Sequence, residues 1–277
     1  MNSIALALTI TPHGRLHLTE EADAPGLEPA LASRLQSAFA RGSGHGLLQL
    51  GAGEAGTALP PVFSYWREFG ARYVTALCTR PDVEAEPKKD ALVPCPPDED
   101  LEWIALAAPP MVGAEYVTAA VLGALWQEMG AAFGVELAES GCGVQEFLKR
   151  KNAAWNLVGR VHFNLAENRQ DTDAPFAFLA TYTTRLSAHA QAQHLPLGQA
   201  LREYAGVANK DRLLSLLLPV QRASQNCPWL KAMVEAGEIF HPLRWTPPEA
   251  LRLLKDVPQL EAAGVVVRMP AAWRGNR

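Results

Sequence analysis

The sequence predicts an α+β fold, predominantly helical, with small antiparallel β elements. Apolar residues recur at helical spacing over long stretches, most clearly from Val62 to Cys78, where Phe63, Trp66, Phe69, Tyr73 and Leu77 would line one face. Short alternating or β-branched runs read as strands at Ile4 to Ile10, Leu157 to Leu165 and Phe176 to Thr184. Helical runs outnumber them, which sets the class. The 277 residues are 48% hydrophobic and 19% charged, enough for one large or two modest domains with a real core.

From the N-terminus, Thr11 to Gly14 reads as a turn, so Arg15 to Leu18 returns as the hairpin partner of the first strand. A helix is predicted from Ala30 to Ala40, and Leu47 to Leu50 reads as a short apolar strand. Pro60-Pro61 starts the aromatic helix. Residues 81–100, rich in Pro and acidic side chains, read as a linker between an N-terminal part, 1–80, and a larger part, 101–277. Helices follow at Leu101 to Ala107, at Ala114 to Glu139 with an interruption near Gly130 or Gly134, and at Val144 to Asn152. After the two strands come helices at Leu197 to Ala205, Asp211 to Leu218 with a restart at Pro219, and Pro228 to Ala236.

The C-terminal stretch, Gly237 to Arg274, predicts a helix-turn-helix-strand corner. Thr246, two prolines and Glu249 form a capping box. Leu251 to Leu254 give an apolar face, Pro258 forces a second helix start, Gly264 ends it, and Val265 to Val267 reads as a strand. Winged-helix DNA readers share this order. A recognition helix needs side chains that reach bases and phosphates, and here it offers Gln259 beside the acidic Glu261. A packing corner is the favoured reading.

A net charge of −4 argues against a free-standing electrostatic binder of nucleic acid or anionic membrane. Four scattered cysteines, none in a Cys-x-x-Cys pair, indicate neither a zinc ribbon nor a disulfide framework. The N-terminus lacks a signal-peptide pattern and no run approaches a membrane span, so a reducing cytoplasm is the expected compartment. Gly51 to Gly56 matches G-x-G-x-x-G, but Pro60-Pro61 separates it from the next helix and displaces the helix dipole from any pyrophosphate. A flexible loop is expected instead. No phosphate-loop motif occurs, and Asp98 to Asp100 reads as a solvated helix start. His189 and His194 stand five apart, which misses helical metal-ligand spacing. No catalytic residue, metal site or cofactor is indicated.

One stretch interleaves cations with aromatic rings: Lys149, Arg150 and Lys151, then Trp155 and Arg160. Cations for phosphates and a ring for an exposed base make these the candidate DNA contacts.

The strings FLATYTTRLSAHAQAQHLPLGQALREYA (Phe178 to Ala205), DRLLSLLLPVQRA (Asp211 to Ala223) and GEIFHPLRWTPPEALRLLKDVPQLEAAGVVVRMPAAWR (Gly237 to Arg274) resemble the helicase-associated region of bacterial Swi/Snf-family ATPases. The resemblance covers about half the chain, from near Trp155 to Arg277, and implies that 101–277 is the helicase-associated domain. In that family the region precedes two motor lobes that bind ATP and magnesium and translocate on duplex DNA. The resemblance therefore implies a non-catalytic, regulatory N-terminal module that docks on motor lobes or a partner protein and contacts DNA. No motor residue has a counterpart here. The chain reaches Arg277 near where such proteins continue toward the motor, so a fragment or a truncated gene product is expected.

Overall fold

A computed structural model describes residues 3–80, 93–206, 210–270 and Trp273, and shows an α+β fold. Two compact units divide the chain. One takes Met1–Cys78, Asp82–Asn156 and Leu186–Gln191; the other takes Thr79–Pro81, Leu157–Arg185 and Ala192–Arg277. The division expected within 81–100 is thus displaced to Asn156–Leu157, and residues 81–92 of that predicted linker lie outside the described residues. The cause is aromatic packing that joins helices from both sides of that segment.

In the first unit, β1 (Ile4–Ile10) pairs antiparallel with β2 (Leu16–Glu20) and with β3 (Gly26–Leu27). α1 (Pro29–Arg41) starts where the Glu28 carboxylate accepts from the Ala30 and Leu31 amides. α2 (Ser43–Leu48) continues into a π-helical turn, Gln49–Gly53, followed by α3 (Pro61–Cys78), α4 (Asp98–Leu106), α5 (Ala119–Ser140) and α6 (Val144–Lys151). The α3 stripe of Phe63, Trp66, Phe69, Tyr73 and Leu77 is buried as its spacing predicts. Trp126 of α5 packs edge-on against Phe69 and Tyr73, and Phe133 against Tyr73 and Phe147. These edge-to-face contacts fix the helices laterally.

Two expectations fail here. Leu47 to Leu50 is helical, because Leu47, Leu48 and Leu50 are all fully buried and a short apolar run carries no period that separates strand from helix. α5 runs unbroken through Gly130 and Gly134, since Leu122, Leu125, Trp126, Met129 and Phe133 hold one continuous buried face.

In the second unit, β4 (Val161–Glu167) and β5 (Phe176–Leu186) pair antiparallel, with β6 (Ala192–Pro196) beyond β5. β7 (Leu243–Trp245) also pairs with β5, and β8 (Val266–Arg268) pairs parallel with β4, so this sheet is mixed and not purely antiparallel. Four helices supply the core: α7 (Leu197–Glu203), α8 (Lys210–Asn226), α9 (Pro228–Glu235) and α10 (Pro247–Ala262). Val161, Phe163, Phe178 and Tyr182 meet Leu216, Leu230, Leu253 and Leu260 in one cluster. Phe178 stacks on Trp245 at 4.2 Å, and the Tyr182 hydroxyl lies 2.8 Å from Ser215 Oγ.

The predicted helix-turn-helix corner is absent. α10 passes straight through Pro258, as α8 passes through Pro219. Ala250, Leu253, Val257 and Leu260 form an uninterrupted buried stripe on α10, and its burial outweighs the lost hydrogen bond and ring clash of an internal proline. The capping box is present as predicted, with the Thr246 amide donating to the Glu249 carboxylate at 2.7 Å. Because Pro258 is exposed, Pro258→Ala is expected to stabilise the chain by about 1 kcal/mol, measured by urea unfolding. A loss of stability would show that Pro258 carries no net penalty within α10.

Candidate nucleic-acid interface

α6 is amphipathic: Val144, Phe147 and Leu148 are buried, and the polar residues between them face outward. Lys149 and Arg150 are 55% and 60% exposed, and both reach Glu146, at 4.0 and 3.1 Å. Such exposed pairs at helical spacing contribute only tenths of a kcal/mol, so these cations can be exchanged for phosphate contacts.

The other candidates are arranged differently from the sequence expectation. Lys151 is only 24% exposed and turns back to Glu136 of α5, Nζ to Oε2 2.8 Å, beside the Phe147 ring. Glu136 also holds His45 Nδ1 at 2.8 Å. Burial alone would raise the Glu136 pKa, and hydrogen bonds from Lys151 and His45 hold it below the usual carboxylate value. Trp155 is buried in a 3-10 turn, Ala153–Leu157, with its indole N–H donating to the Ala52 carbonyl at 2.9 Å, so its ring is closed to a base. Arg160 belongs to the second unit, where its carbonyl accepts from the Thr183 amide. The structure therefore groups Lys149 with Arg150 and assigns Lys151 and Trp155 to internal packing.

The G-x-G-x-x-G stretch is a packing device and not a flexible loop. A Cβ on Gly51 would lie 2.3 Å from the Gly70 backbone, so α3 and the π-helical turn approach closely only with glycine at the crossing. Glu54, buried within this stretch, accepts from Arg34 (2.8 and 3.0 Å), Gln49 (3.0 Å) and Thr57 (3.2 Å). Burial pushes its pKa up, and these donors bring it below its ordinary value. With every carboxylate oxygen engaged inside the protein, this region offers no open phosphate cradle.

A polar cluster that the sequence reading missed lies on the second unit's sheet. Thr183 Oγ1 sits 2.9 Å from His162 Nε2 and 2.8 Å from His194 Nδ1, and Arg268 Nη1 lies 3.1 Å from His194 Nε2. Arginine can only donate, so His194 accepts at Nε2, carries its proton on Nδ1 and donates to Thr183. His162 Nε2 faces both the Thr183 hydroxyl and, at 3.4 Å, the Leu157 carbonyl, which can only accept, so His162 donates from Nε2. Asn164 Nδ2 donates to Thr181 Oγ1 at 3.0 Å on the same strands. His162 and Thr183 are fully buried, and His162 Nδ1 has no partner. Burial first, then the nearby Arg268 and His194, push the His162 pKa down to about 4. The same two kinds of cause lower His194, whose first is again burial. The signal in the sequence is the alternation of His162 and Asn164 with apolar neighbours, and of Thr181 and Thr183 in the next strand, where His162 lies opposite Thr181. Since Thr183 is sealed from solvent, this arrangement orders a strand face and does not present a nucleophile.

Among the described residues, no group of three or more His, Cys, Asp or Glu side chains could hold a metal ion, and no helix is long and apolar enough to cross a membrane. Set against family models, curated proteins and solved structures, the chain gives no match.

Proposed function

We propose that the chain is a non-catalytic accessory module of a Swi/Snf-type DNA-dependent ATPase, docking on motor lobes or a partner protein and touching duplex DNA through α6. The observation that carries this reading is the placement of the three resembling strings. Phe178 to Ala205, Asp211 to Ala223 and Gly237 to Arg274 supply most of β5 and α8 together with β6 to β8, α7 and α10, and so a large part of the core of one compact unit, which β4 and α9 outside the strings complete. A resemblance that coincides with a folding unit is what a transferable module leaves in sequence. The paired, outward-facing Lys149 and Arg150 support the DNA contact, and the net charge of −4 makes that contact weak. ATP and magnesium belong to the motor of such a protein, and the module tunes the motor's access to DNA.

The test uses fluorescence anisotropy with a short labelled duplex, together with an ATPase assay. The purified chain is expected to hydrolyse no ATP and to bind duplex weakly, with a log–log salt slope of about −2 for two phosphate contacts. Lys149→Glu with Arg150→Glu should lower the affinity about tenfold or more, with unchanged melting because the replaced pairs are exposed. Undiminished binding by this variant removes α6 from the contact, and ATP turnover by the chain alone would overturn the whole reading. Lys151→Glu is unsuitable as a probe, since it would set two carboxylates together at Glu136.

A further inference from the structure

The first unit presents a surface that its own packing does not use. α4 turns Leu101 and Ile104 inward, and Tyr65 of α3 donates to the Ile104 carbonyl at 2.9 Å, fixing α4 against α3. Burial pushes the Tyr65 phenol up to about 12, so it stays protonated and keeps donating. The opposite face of α4 places Glu99, Glu102, Trp103 and Leu106 at i, i+3, i+4 and i+7, a single stripe. Trp103 is 67% exposed, Leu106 is 77% exposed, and Val112 just beyond the helix is 69% exposed. Trp103 and Leu106, exposed one turn apart on the same helix face, mark an interaction surface more than scattered exposure does.

Beside the stripe runs an open groove of about 460 Å³ between α3 and α4, lined by Tyr65, Phe69, Trp103 and Ile104 among others. The charges around it are unequal. Glu68 and Asp100 line it, Asp98, Glu99 and Glu102 are exposed along α4, and among the described residues Arg72 is the one cation in the lining. Five carboxylates against one guanidinium repel nucleic-acid phosphates and anionic lipid headgroups, so the occupant is a protein surface carrying the opposite charge.

We propose that the α3–α4 groove and the Trp103–Leu106 stripe dock a basic amphipathic helix of a partner protein, with its apolar residues on Trp103 and Leu106 and its Lys or Arg side chains along the acidic rim. Helix-in-groove recognition needs apolar anchors at one-turn spacing and a complementary rim, and both are present. α4 has nine residues, about 13 Å of helix, which matches two to three turns of the ligand. An aromatic at the centre of such a contact carries much of the binding energy. The residues involved are distinct from Lys149 and Arg150, so this proposal and the DNA contact stand or fall separately.

The experiment measures fluorescence polarisation of three labelled synthetic peptides on the full chain. One is an amphipathic Leu/Lys helix, the second carries Glu in place of Lys, and the third is the Leu/Lys composition scrambled to remove the apolar face. The Leu/Lys helix should bind about tenfold or more tightly than either control, and Trp103→Ala with Leu106→Ala should remove that advantage. Glu99→Lys with Glu102→Lys should shift the preference toward the Glu peptide. All four positions are exposed, so the variants should melt like the parent chain. Equal binding of the Glu or the scrambled peptide overturns the proposal, as does undiminished binding by the Trp103→Ala, Leu106→Ala variant. Two further results would also overturn it: sedimentation that shows dimers lost in that variant, which would make a second copy the occupant, or duplex binding that depends on Trp103.

Discussion

Gly70→Ala is expected to destabilise the first unit by about 3 kcal/mol or more, because the added methyl has no rotamer by which to escape. Its Cβ would lie 2.3 Å from the Leu47 carbonyl oxygen and 3.1 Å from Gly51 Cα. Both obstacles are backbone, held in place by α2 and the π-helical turn, so α3 must move as a whole. That movement would disturb the edge-to-face contacts of Trp66, Phe69 and Tyr73 on the same helix. Gly134→Ala supplies the contrast. It stands exposed within α5 with nothing within 4 Å of its would-be Cβ, so alanine there should stabilise by about 0.5–1 kcal/mol through helix propensity and a less flexible unfolded chain. Urea and thermal unfolding of the two variants should move in opposite directions. If both glycines tolerate alanine equally, the close crossing of α3 with the turn does not exist in solution.

Stability should fall as the solution is acidified from pH 6.5 to about 4, and His162 should account for about 3 kcal/mol of that fall. The sign follows from its environment. The buried imidazole has a folded pKa of about 4, below the ordinary value of 6.5 that it regains on unfolding. Above pH 6.5 neither state binds the proton and stability is complete. Between the two values the unfolded chain binds a proton that the native state refuses, so unfolding is favoured progressively. Below about 4 both states are protonated and the contribution levels off. Arg268, His194 and Arg160 all act in the same direction, each opposing a positive charge on His162. Unfolding curves across this range should therefore lose about 1.4 kcal/mol per pH unit from this one group. His162→Asn should flatten the curve by that amount even though it lowers stability at neutral pH, and an unchanged slope in the variant would remove His162 from the proton balance.

Much of the helical architecture was legible because it rests on period. The aromatic stripe of α3 and the capping box at Thr246 are local patterns, and each is found where its spacing puts it. Prolines misled the reading at Pro219 and Pro258, where the local penalty is visible in sequence but the buried stripe that outweighs it forms only in the assembled core. β6 and β7 are short and mixed in polarity, so nothing local marks them, and the parallel pairing of β8 to β4 joins segments whose order in the chain gives no hint of it. At the candidate interface, the outward face of Lys149 and Arg150 was readable from the charge run. Lys151 was not, because its partner Glu136 comes from another helix. Trp155 looked available for stacking for the same reason, since the carbonyl that holds its indole belongs to Ala52. The histidine cluster needed the strand register, which brings His162 opposite Thr181, before its alternation had meaning.

The pairing of β4 with β8 bears on how the chain is made. His162 finds Val266 as its neighbour only after nearly all the intervening sequence has been synthesised. Until then one edge of β4 carries open amides and carbonyls, and the Arg268 donor that orders His194 has not emerged. Contacts so distant in sequence form late, and an unpaired edge in the meantime is a site for chaperone capture or aggregation on the ribosome.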